Sequence, residues 1–116
     1  MNDEIIITEL NSETIESMIY EIRGVKVMLD FELAKIYGYA TKAFNQQIKN
    51  NIDRFPIRYR FQLTTEEIGK LVRSKKFTSR SWEKNNEGGR RYLPYAFTKQ
   101  GIYMLMTVLK GGALNE

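Results

Sequence analysis

Lys42, Asn45, Gln46 and Lys49 are the residues of this 116-residue chain whose types and spacing best suit chemistry with a partner. Amide side chains can pair with adenine edges in the DNA major groove, and lysines can reach guanine edges or phosphates. On a helix opened by Thr41 these four fall to one side. Phe44, Ile48 and Ile52 recur every four residues and make the buried stripe on another. From Lys42 to Asn51 there is no acidic residue, whereas an unselected exposed face mixes signs. The solvent-facing side of any helix can carry such polar residues, so residue type alone leaves both readings open.

A second basic group runs from Arg73 to Arg91. It holds Arg73, Lys75, Lys76, Arg80, Lys84, Arg90 and Arg91 against Glu83 and Glu87, a net charge of +5. Such a loop suits the sugar-phosphate backbone, giving affinity and salt dependence without sequence discrimination; the alternative is a solvated loop. Thr41, at the start of the first basic helix, and Arg54, just past its end, complete the DNA-contact candidates. Phe77 and Trp82 can stack on bases, but a loop aromatic more often packs back on its own domain.

Catalytic chemistry finds no residues. The chain has no cysteine and no histidine, which removes disulfides, thiolate metal sites and the commonest general base. Gly88-Gly89 has no following Walker-type lysine, and Glu66, Glu67 and Asp30 each have a structural position. No carboxylates pair at nuclease-metal spacing, and no nucleophile can be matched with a base. The expectation is a non-enzyme with no cofactor and no metal.

The elements that must position these residues follow from the pattern. Residues 18–29 alternate around Gly24, which predicts a hairpin or bulged strand. Asp30 is placed to cap a short helix with Leu33, Ala34, Ile36 and Tyr37 inside, and Gly38 to end it in the left-handed conformation. Thr41 is placed to cap the next helix, which stops at Phe55-Pro56. Ala34 marks the point where the two helices cross. Helix, tight turn and helix over Asp30–Ile52 predict a helix-turn-helix, although an αα-corner without nucleic acid shares the spacing. Arg58–Leu63 alternates as a strand, and Thr64 caps a helix through Val72 with acids in its first turn. Arg90–Phe97 reads as a strand with Pro94 at an edge position. Thr98 caps a last helix, Lys99–Lys110, with Ile102, Leu105, Met106 and Leu109 on its apolar face and Gly111-Gly112 after it. If the strands near 58–63 and 90–97 pair, the basic loop between them projects like a wing.

The length suits one domain. Residues 1–16 carry five acids and no base, so the remainder holds 18 bases against nine acids, or +9. A basic body suits a polyanionic partner, and the acidic leader a solvated or regulatory arm, with Ile5-Ile6-Ile7 able to pair with another chain. No segment approaches the roughly 18 apolar residues of a membrane span, and Met1-Asn2-Asp3-Glu4 is acidic where a secretory signal is basic. No membrane partner and a cytoplasmic location are expected.

Longer strings carry a family resemblance. Ile22–Asp30, Leu33–Gly38, Asn51–Pro56 and Phe61–Thr64, then Gly88–Thr98 with Gly101, resemble the ORF-six N-terminal domain family. The Arg-Phe-Pro and Arg-Tyr-Leu-Pro-Tyr-Ala-Phe-Thr strings are the most specific, and the likeness spans about residues 18–110. It implies a relative of the KilA-N and Bro-N domains of phages and large DNA viruses. Those usually form the N-terminal part of antirepressors in prophage control, with a separate C-terminal region commonly following. The combined expectation is an α+β domain with a helix-turn-helix-like core, a small antiparallel β-sheet and a C-terminal helix, spanning 17–112 between an arm (1–16) and a tail (113–116). Double-stranded DNA is the expected partner of this bacterial regulatory domain, as a homodimer if half-sites are paired. The rival is a protein-interaction module that binds a repressor or another acidic partner.

Overall fold

The computed structural model describes residues 15–74 and 92–109. The Ile5–Ile7 arm, the basic residues from Lys75 to Arg91 and the Gly111-Gly112 stop lie outside the described residues.

The chain first turns back at Arg23-Gly24, both with positive φ (56° and 79°), the combination that matches a two-residue turn to strand twist. It joins β1 (Tyr20–Ile22) to β2 (Val25–Leu29), which pair antiparallel with Tyr20 opposite Val27. Arg23 is pinned in this conformation. Its Nε donates to Glu67 at 2.8 Å, its Nη2 to the Gln62 carbonyl at 3.2 Å, and its guanidinium lies over the Phe61 ring.

Two further strands, β3 (Arg60–Gln62) and β4 (Tyr95–Phe97), complete an antiparallel sheet in the order β1-β2-β4-β3. Thus β4 is an interior strand, and Pro94 is not at an edge. The proline instead lies buried just before β4, where no ladder N–H is needed, and its carbonyl accepts from Leu63 N–H at 2.9 Å. The strands within 58–63 and 90–97 do pair, with Phe61 opposite Ala96.

Alternation along the strands sends side chains to two cores. Val27, Leu29, Phe61 and Ala96 face one side, covered by α3 (Thr65–Arg73) through Ile68. Met28 and Phe97 face the other, covered by α1 (Asp30–Tyr37), α2 (Thr41–Asn50) and α4 (Lys99–Val108) through Leu33, Phe44, Ile48 and Leu105. The Phe97 ring meets Phe44 and Phe55 edge-on at 5.7 and 6.0 Å between centroids. This second core seats the helix pair.

The caps of α3 and α4 follow from sequence. Thr64 and Glu67 form a reciprocal capping box, and Thr98 Oγ1 accepts from Gly101 N–H. Gly101 is required for another reason. A Cβ there would collide with the Tyr59 backbone carbonyl, so α4 can lie against the 57–59 turn only with no side chain at this position.

Two expected apolar positions are outside the core. Met106 is 48% exposed on α4, whose buried stripe runs through Gly101, Leu105 and the following Leu109. Ile52 is also 48% exposed, because α2 ends at Asn50 and a 3-10 turn (Ile52–Arg54) rotates it off the Phe44–Ile48 line. Among the described residues no helix is long and apolar enough to cross a membrane.

Candidate nucleic-acid interface

The turn between α1 and α2 is residues 38–40. Gly38, at φ 80°, closes α1 by donating to the Lys35 carbonyl at 3.2 Å, and Tyr39 N–H reaches the Ala34 carbonyl at 2.8 Å. These two bonds are a Schellman motif, which needs a residue at ease in the left-handed conformation. The Tyr39 ring then packs edge-on against Phe44, tying the turn to α2. Ala34 is 1% exposed in the core that joins both helices, where its small side chain lets them approach.

Both expected caps of this pair are displaced by one residue. Asp30 is the first residue of α1 rather than its cap, and Thr41 the first of α2, after extended Leu29 and Ala40 respectively. Neither helix has a side-chain cap bond from the residue before it.

Asp30 is fully buried. It accepts from Phe31 N–H at 2.7 Å, Asn45 Nδ2 at 2.9 Å and the Tyr92 hydroxyl at 3.4 Å. Burial pushes its pKa up to about 6; the Asn45 bond, backbone bonds from Tyr95 and Phe31, and the Arg60 charge oppose this. Glu32, two residues on in the same first turn, is pushed up to about 7, again first by burial. Tyr20 donates to it at 3.2 Å. Arg60, half-buried with its guanidinium 3.7 Å from the Tyr95 ring centroid, is lowered by burial.

This network changes the composition of the outer face. Asn45 is half-buried and spends its amide nitrogen on Asp30, so it anchors α2 from beneath rather than facing outward. Lys42, Gln46 and Lys49 are exposed as expected, and Ala43 and Asn50 share their surface. Gln46 Nε2 donates to Asn50 Oδ1 at 3.0 Å, which sets the two amides side by side. Asn50 lies one turn beyond Gln46, so helical period alone could have found it. Nothing in the sequence pairs Asn45 with Asp30, 15 residues away.

Thr41 is half-buried at the start of α2, and Arg54 is exposed on the 3-10 turn beside Asp53. Arg73 is exposed at the end of α3. Lys75, Lys76, Arg80, Lys84, Arg90 and Arg91 fall outside the described residues. Along α2 itself the described charges are Lys42 and Lys49 alone, with no acid in its first turn.

Fold and face together define an α+β domain built round a helix-turn-helix pair whose second helix turns lysines and amides outward. Comparison with protein-family models matches residues 17–108 to the ORF6N domain. The chain belongs to the ORF6N family. No curated protein and no solved structure matches the chain.

Proposed function

We propose that this ORF6N domain binds double-stranded DNA, with α2 in the major groove and basic residues around it against phosphate. The observation that carries this is the outer surface of α2. It presents Lys42, Ala43, Gln46, Lys49 and Asn50 without an acid, on a helix held from below by Phe44, Ile48 and the Asn45–Asp30 bond. A second helix so held can follow the groove, its lysines reaching phosphate or guanine and its amides reaching base edges. Arg54 is a further exposed base, on the 3-10 turn past the helix end. The sequence gives the segment from Lys75 to Arg91 the charge to contact phosphate as well, between strands that pair.

The domain's role on this reading is regulatory and non-catalytic, in the manner of a phage antirepressor's N-terminal domain. Binding of a repressor or a second copy is the alternative, and one observation favours it: Tyr103 and Met106 stand exposed on α4, at 56% and 48%. Titration of labelled duplex DNA separates the two. Gln46→Ala combined with Lys49→Ala weakens binding to a preferred site by at least about 2 kcal/mol, given about 1–3 kcal/mol per good base contact. An unchanged curve sinks the assignment of α2, and no shift of random or genomic fragments at low salt favours the protein partner.

A further inference from the structure

We propose that α2 reads an A·T base pair, the adenine through the bonded Gln46–Asn50 amides and the thymine methyl through Ala43. This rests on the DNA-binding reading above and names what that surface selects. The starting point is the 3.0 Å bond from Gln46 Nε2 to Asn50 Oδ1. An amide has a carbonyl acceptor and a two-proton donor. In this pair one Gln46 proton is engaged by Asn50 Oδ1, which leaves the Gln46 carbonyl to accept and the Asn50 nitrogen, with the second Gln46 proton, to donate.

Adenine offers the complement in the major groove, an acceptor at N7 and a donor at N6. Guanine offers two acceptors there, N7 and O6. The Gln46 carbonyl facing guanine O6 would have no proton to accept, and an unpaired, desolvated acceptor is costly. With the Gln46 carbonyl turned to the base edge beside the Asn50 nitrogen, the pair therefore favours adenine over guanine.

Ala43 supplies the apolar half. It is exposed, three residues before Gln46 and seven before Asn50, on the same strip of helix. A methyl side chain on a groove-facing surface has little to gain from water, and a thymine methyl is the apolar group the major groove offers. Of the other two amides of α2, Asn45 is committed to Asp30 and Gln47 is half-buried, and neither takes part. Lys42 and Lys49 flank the strip and supply affinity rather than choice between these bases.

The experiment is selection from a random duplex pool with the full chain, followed by anisotropy titrations of the selected duplex and of versions carrying single A·T to G·C changes. The wild-type protein should select sites sharing an A·T step and bind about tenfold or more weakly when that step becomes G·C, the scale of one good bidentate contact. Gln46→Ala/Asn50→Ala should bind both duplexes within about threefold of each other; these side chains are exposed, and circular dichroism confirms that the variant is folded. Wild-type binding without preference at any A·T step, or a double variant that keeps the discrimination, overturns the proposal and leaves DNA binding intact. Failure to bind any duplex overturns both.

Discussion

At the residue scale the informative side chain is Asp30, a carboxylate with no exposed surface at the point where α1, α2 and β4 meet. Its partners include Asn45 on α2, so the carboxylate that the sequence suggests as a helix cap also orients the helix proposed to face DNA. Asn45→Ala leaves a buried carboxylate short of a donor and should cost about 1–3 kcal/mol in urea unfolding. Gln46→Ala, at an exposed position, should stay within about 0.5 kcal/mol. Equal stabilities for the two variants would contradict the distinct roles given to these neighbouring amides.

Asp30 and Glu32 also set a pH dependence. Both folded pKa values, about 6 and about 7, lie above the ordinary carboxylate values. Between about pH 4 and pH 7 the folded chain holds protons that the unfolded chain has released, so stability is present at the acid side of this window and declines as pH rises through it. Glu67 acts oppositely. The Arg23 hydrogen bond holds it below its usual range, and that contribution is lost as pH falls through its folded value. The thermal midpoint should therefore be higher at pH 5 than at pH 8 by about 5 °C or more, the shift that about 1 kcal/mol produces in a small domain. Glu32→Gln should flatten the slope; a midpoint that rises toward pH 8 contradicts the assignment.

At the scale of elements, much of the framework was legible because each piece had a local reason. The hairpin at Gly24, the Gly38 stop and the Thr64 and Thr98 caps all depend on neighbours a few residues apart, and all are present. What could not be read depends on distance along the chain. The Asp30–Asn45 bond spans 15 residues, and the interior place of β4 follows from its pairing with both β2 and β3. Period alone puts Ile52 and Met106 on apolar stripes, because it does not show where a helix ends or which flank its neighbours cover. Two glycines make the same contrast testable. Gly101→Ala drives a methyl into the Tyr59 carbonyl and should destabilise by about 2 kcal/mol or more. Gly69→Ala meets only the Arg73 guanidinium, at 3.7 Å, and should stabilise α3 by about 0.5–1 kcal/mol. Similar effects from both would undercut the packing of α4 on the 57–59 turn.

At the scale of the whole molecule, one core face of the sheet carries α1, α2 and α4 together, so the helix-turn-helix pair is part of the main body rather than an appendage. Family membership and the outward lysines and amides of α2 then lead to one central claim, that the domain binds duplex DNA through that helix. The direct measurement is a salt-dependent anisotropy titration of duplex DNA with the wild-type chain and with Lys42→Ala/Lys49→Ala. Wild-type binding should weaken steeply with salt. The double variant should bind more weakly and lose up to about 1.8 from the slope of log K against log salt, since each phosphate contact contributes about 0.9. Absence of binding at tens of micromolar protein and low salt, or a double variant that matches the wild type in affinity and slope, would contradict the claim.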